Sequence, residues 1–279
     1  MRVEIRYNEA WQKVAMAYDY IASSVEEGDP TLCKAVFHAP LFGKAFVAAV
    51  QLYNHIQKNE NVLWAFTHDS TQLIQKELIR FGSEDLLQLA EQIEVDFEIY
   101  APVLKKMAPK LITLLAEKNE QAEYAVKRIF GSSLPEKALI MLSYSFASGR
   151  VFGGFMSDKC LVSLHVPEDV RIERPASTAF HEIIHYLCKE YEQNPQLLVG
   201  IDDRRSFLEA LILFFVPRGM LAKYLGLGGT LDTKLILNWY RDRKCKPWLE
   251  KLAPYMDEYF KVWETRTVWD FLKERGVLS

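Results

Sequence analysis

The sequence predicts an α+β protein dominated by helix, with a helical region over residues 1–130 and a second region over 131–279 that opens with a small sheet. Three observations predict it. Apolar residues recur every three or four positions through most of the first 130 residues. The texture then changes at Gly131-Ser132-Ser133-Leu134-Pro135, where short, glycine-punctuated apolar runs begin. Helical patterning resumes after Pro175 and lasts to the end. A few strands set between helical stretches is the pattern of an α+β fold.

The first helix is read from the stripe Trp11, Val14, Ala15, Tyr18, Ile21, Ala22 and Val25, the face that an amphipathic helix buries. Gly28-Asp29-Pro30 breaks it. Good helix formers with few glycines or prolines then predict helices over roughly 43–58, 70–81, 84–93 and 104–130. No fixed repeat period appears, so a solenoid is not expected. Strands are expected at 138–144, 151–156 and 160–166, punctuated by Gly149, Gly153-Gly154 and Ser157-Asp158-Lys159. A linker through Pro167 and Pro175 leads to a helix over about 177–191, with Ser177 and Thr178 as N-cap candidates. Another helix follows over about 206–216, stopped or kinked by Pro217. Gly226, Gly228 and Gly229 make a loop, and two or three more helices finish the chain.

Composition excludes several functions. The chain has 279 residues, 49% hydrophobic and 25% charged, enough for a substantial core. Its 34 basic and 37 acidic residues give a net charge of −3, so no nucleic-acid partner is expected. The opening MRVEIRYNEAWQKV lacks the apolar stretch of a secretory signal. The longest strongly apolar run, Ala210 to Val216, is too short to span a bilayer. A soluble, cytoplasmic protein with no membrane partner is the expectation. Cys33, Cys160, Cys188 and Cys245 form no CxxC pair and are read as free thiols in a reduced compartment.

The informative segment is His181-Glu182-Ile183-Ile184-His185. On a helix, residues four apart share a face one turn apart, so both imidazoles can reach one metal ion. Glu182 lies beside the first histidine, near enough to act on a metal-activated water without ligating the metal. Ala179, Phe180, Ile183, Ile184, Leu187 and Cys188 make this helix mostly buried, and buried imidazoles and carboxylates need partners.

The segment FHEIIHYLCKE resembles the active-site helix of the zincin metallopeptidases. The resemblance covers about residues 136–225, with the pentapeptide as its specific part. It implies one zinc per chain, held by His181 and His185, with Glu182 as general base. The metzincin extension is absent, because Cys188 and Tyr191 stand where its glycine and third histidine would fall. The gluzincin branch, with a glutamate on a following helix as third ligand, is the better match. The resemblance also implies that the strand at 160–166 is a sheet edge able to pair with extended substrate, against the alternative of an interior strand.

Glu209 is the leading third ligand, since it lies in the apolar run Phe207 to Ile212. It has a competing explanation: Ser206-x-x-Glu209 is a capping box. Asp202 and Asp203 are the runners-up, while Glu190 and Glu192 point away along the same helix as His185. Tyr224, Tyr240, Tyr144 and His165 are conceivable donors to a developing oxyanion, and no motif selects among them. His38, His55 and His68 are read as ordinary helix histidines. The expected activity is zinc-dependent hydrolysis of a peptide or protein substrate. The alternatives are an inactive zincin-like scaffold and a zinc hydrolase of a non-peptide amide or ester.

Overall fold

The structure is a computed structural model, and it describes residues 1–27, 43–145, 152–156, 159–194, 196–241 and 243–278. Cys33, His38, the Gly28–Pro30 break, Gly149 and Ser157-Asp158 lie outside the described residues. The protein is mainly helical with a small mixed sheet. The elements are β1 (Arg2–Arg6), α1 (Glu9–Glu27), α2 (Gly43–Lys58), a 3-10 segment (Glu60–Thr67), α3 (Thr71–Arg80), α4 (Asp85–Glu91) and α5 (Phe97–Phe130). Next come β2 (Lys137–Tyr144), β3 (Phe152–Met156), β4 (Leu161–Val166), α6 (Glu173–Gln193) and α7 (Arg204–Leu213). The chain finishes with α8 (Met220–Tyr224), α9 (Thr233–Trp239), α10 (Lys246–Tyr259) and α11 (Val268–Glu274). No helix among the described residues is long and apolar enough to cross a membrane.

The chain forms two compact units: residues 3–112 with 138–171, and residues 1–2 with 113–137 and 172–279. This division differs from a break at 130/131. The strands of 138–171 share a hydrophobic core with the preceding helices, in which Leu139, Met141 and Leu161 join Trp11, Leu52 and Phe66. Burial therefore groups the sheet with the first helices, not with the helices that follow it.

In that first unit the sheet order is β1-β2-β4-β3. β2 and β4 run parallel in the register Leu139↔Leu161 to Tyr144↔Val166, and β3 runs antiparallel to β4. β2 is buried from Ala138 to Ser143, and β4 throughout, the near-continuous apolar run of a strand covered on both faces. Gln12 clamps the end of β2 by accepting from the Tyr144 amide at 2.6 Å and donating to its carbonyl at 3.2 Å. Two expectations fail here. Residues 1–130 are not helical throughout, since β1 adds an edge strand. The strand at 160–166 is not an edge, because β4 is paired on both sides. β1 and β3 hold the edges, so strand addition of substrate at β4 is ruled out.

The second unit is helical. α6 packs on α7, and α7 on α10, around buried Phe207, Phe214, Phe215, Tyr259 and Phe271. Phe215 meets Phe130 and Tyr259 edge-on at centroid distances of 5.2 and 6.0 Å, a favourable aromatic geometry. α5 starts at Phe97, ahead of the expected 104, and carries Pro102 and Pro109 inside it. Its fully buried residues Leu104, Leu111 and Leu115 keep a helical stripe, so packing overrides the local penalty of the prolines.

Candidate metal centre

The centre is built on α6, α7 and the turn after α7, all in the helical unit. α6 begins at Glu173, before the expected cap residues. Pro175 is accommodated in the first turn, where no intrahelical N–H partner is needed. Ser177 and Thr178 are thus interior, and the Ser177 hydroxyl donates to the Arg174 carbonyl at 3.1 Å. Pro175 to Ile184 are all buried, and the helix ends at Asn194, just before Pro195 in the sequence.

α7 is capped by Asp203, whose Oδ1 accepts from the Ser206 amide at 3.0 Å. The Ser206-x-x-Glu209 capping box is therefore not formed: the cap lies one turn earlier, and Glu209 sits in the second turn. Glu209 Oε2 instead lies 2.8 Å from His185 Nε2 and 3.6 Å from His181 Nε2. The two imidazole Nε2 atoms are 3.1 Å apart. These separations bracket the edge of about 3.3 Å expected between ligand atoms of a tetrahedral zinc with bonds of about 2.0–2.1 Å. Among the described residues, His181, His185 and Glu209 are the group whose ligand atoms converge in this way.

The turn after α7 fixes the histidine. His181 Nδ1 is 3.1 Å from the Val216 carbonyl, which can only accept. Nδ1 therefore carries a proton, and Nε2 is the nitrogen available to a metal. Gly219 makes this turn possible: a Cβ there would fall 1.9 Å from the Phe214 carbonyl oxygen. The Met220 amide donates to that same oxygen at 2.9 Å and closes the turn.

Charge in the centre is tightly coupled. Burial opposes ionisation of His181, but Glu209 and then Glu182 outweigh it and push its pKa up to about 9. Burial also works against the Glu209 carboxylate, yet the adjacent imidazoles dominate and hold it well below the usual carboxylate range. Glu182 behaves oppositely. Burial raises its pKa, and His181, His185 and Arg243 offset only part of that. Glu182 is 7% exposed and makes no hydrogen bond with the described residues. Its Oε1 lies 4.0 Å from His181 Nε2. A buried carboxyl without hydrogen-bond donors is costly, and burial makes it more basic than a solvated carboxylate.

The other sequence candidates separate clearly. Asp202 and Asp203 are exposed, as are Glu190 and Glu192, and none joins the cluster. His55 lies 3.8 Å from Asp85, and His68 is likewise outside the cluster. His165 is buried between two serine hydroxyls, each 2.8 Å from one ring nitrogen, so it is structural. Tyr144 stacks on Tyr100 at 4.4 Å in the sheet-containing unit. Tyr224 is exposed and meets Trp263 edge-on.

Tyr240 differs from these. It is 8% exposed, and its hydroxyl is buried with no hydrogen-bond partner among the described residues. Burial pushes its pKa up to about 12, with Arg218 and Arg243 opposing and Glu209 reinforcing the shift. It is therefore a neutral donor within electrostatic reach of Glu209. Sequence reasoning missed the Val216 carbonyl, a backbone atom that no motif announces, and the arginines around Tyr240, which are scattered along the chain.

No protein-family model matches the chain, and neither a curated protein nor a solved structure matches it.

Proposed function

We propose that the chain is a zinc-dependent hydrolase of peptide bonds, similar in its site to the zincin metallopeptidases. The observation that carries this reading is the buried Glu182, without a hydrogen bond among the described residues, beside the converging His181, His185 and Glu209. A structural zinc site is closed by four protein ligands, whereas a catalytic one has three and an open position. Three ligand residues and a spare carboxyl fit the second kind. A scaffold role has no use for Glu182.

His181, His185 and Glu209 would hold the ion, and Val216 would orient His181 through Nδ1. When bound, zinc supplies Lewis acidity, which eases deprotonation of a water and polarises a carbonyl. Glu182 takes the proton from the attacking water and returns it to the leaving amine. Tyr240 donates its hydroxyl to the oxygen on which negative charge develops. The free, buried thiols of Cys160, Cys188 and Cys245 are in keeping with the cytoplasmic setting expected from the sequence.

The test is metal analysis joined to digestion of a peptide library read by mass spectrometry. Wild type should hold close to one zinc and cleave peptides. Glu182→Gln should keep the zinc and lose at least about 10²-fold in rate, the scale of a general base. Cleavage of esters or non-peptide amides without peptides would move the reading to that substrate class.

A further inference from the structure

Arg6, Arg80, Arg266 and Arg275 each meet a glutamate. Arg218 and Arg243, like Arg128, Arg204 and Arg205, have no ion-pair partner within 4.0 Å among the described residues, and what sets them apart is their place. Arg243 acts electrostatically on Glu182, and both arginines act on Tyr240. Arg218 is two residues beyond Val216, whose carbonyl holds His181, so its backbone is within about 7 Å of that anchor. Its guanidinium carbon rests 5.1 Å from the Trp239 ring centroid. Trp239 directly precedes Tyr240, and the Arg243 amide donates to the Tyr240 carbonyl at 3.1 Å.

We propose that Arg218 and Arg243 form a carboxylate-binding subsite next to the centre, so that the substrate is a peptide presenting a carboxylate close to the bond that is cut. The inference rests on the hydrolase reading and names its substrate class. The donor set supports it. A guanidinium stacked on an indole is held in orientation while its N–H edge stays open, and that edge matches a carboxylate fork. Arg243 is exposed and acts on Glu182 and Tyr240 together. The two guanidiniums, without a carboxylate partner among the described residues, offer N–H forks that fit an anionic acceptor from outside the chain.

The carboxylate could be the substrate's C-terminus or an acidic side chain, and the experiment separates these sources. A random hexapeptide library is made with free C-terminal carboxyls and again as C-terminal amides, each with Asp and Glu present or replaced by Asn and Gln. Retention is measured on zinc-loaded Glu182→Gln protein, which binds without turnover. Wild-type protein is assayed for hydrolysis of the same libraries. At least one carboxylate-bearing form should be retained about tenfold or more over its neutral counterpart, the scale of a charge-assisted hydrogen bond. Loss of the preference on amidation assigns the C-terminus, and loss on Asn/Gln replacement assigns a side chain.

Adding Arg218→Ala and Arg243→Ala together should bring the ratio near one, and the Lys pair should restore part of it. Zinc content and melting temperature report that the variants fold. Equal retention of charged and neutral forms, a preference that survives the double alanine variant, or retention of neither form would overturn the subsite. Wild type cutting charged and neutral libraries at equal rates removes the subsite and leaves the hydrolase. Charged-library retention without any hydrolysis removes the hydrolase and leaves the subsite.

Discussion

Tyr240→Phe should make the protein no less stable and much less active. The hydroxyl is buried and unpartnered among the described residues, and an unsatisfied buried polar group costs about 1–3 kcal/mol. Removing one oxygen while keeping the ring recovers part of that, so we expect a gain of about 1 kcal/mol at neutral pH. For a chain of this size that is a rise of about 2–4 °C in melting temperature. At alkaline pH the sign can be worked through. The folded phenol has a pKa of about 12 against the ordinary value of 10.0. Between these values the unfolded chain binds fewer protons than the folded one, so stability falls as pH rises. The variant lacks this contribution, and its stability should fall less over that window, by on the order of 2 kcal/mol. Hydrolysis should drop by about 10²–10³-fold, the usual effect of losing one oxyanion donor. The assays are urea unfolding from pH 7 to 12 and peptide cleavage at pH 7. A loss of stability above about 1 kcal/mol would show that the hydroxyl has a partner after all. Unchanged turnover would refute its role as a donor in the reaction.

Three other outcomes are expected. Glu209→Gln should lower zinc affinity at least about tenfold with the melting temperature little changed, as read by chelator competition; unchanged affinity would remove Glu209 from the ligand set. Asp203→Ala should destabilise the chain by about 1 kcal/mol at pH 7 through loss of the α7 cap. Bonds from Ser206 hold the Asp203 pKa below its ordinary value, so the difference between wild type and variant should persist above pH 4 and shrink as pH falls through the folded-state pKa. Urea unfolding at pH 7 and pH 2.5 checks this, and an equal difference at both would exclude the cap. Finally, Cys160, Cys188 and Cys245 are buried, and burial raises their pKa, to about 12 for Cys160 and Cys245. Iodoacetamide at pH 8 should leave all three unmodified in the folded chain and label them in urea; peptide mapping shows which, and rapid labelling of any in the folded chain contradicts its burial.

The sequence by itself determined whatever depends on neighbours a few residues apart. Helix periodicity is local, so α2 appears over Gly43–Lys58 as expected, and His181 and His185 fall on one face of α6. β2, β3 and β4 sit close to the apolar runs that announced them. What the sequence left open was which distant residues meet. Whether Glu209 caps its own helix or reaches the histidines depended on Asp203 taking the cap and on α7 packing against α6. Whether β4 is an edge depended on β3 returning antiparallel beside it. The arginines near Tyr240 and the carbonyl that orients His181 lie more than thirty positions from the motif, or carry no side-chain signature. Secondary structure follows from local torsional and burial preferences. The partners of a buried polar group are set only when segments far apart in the chain close on one another.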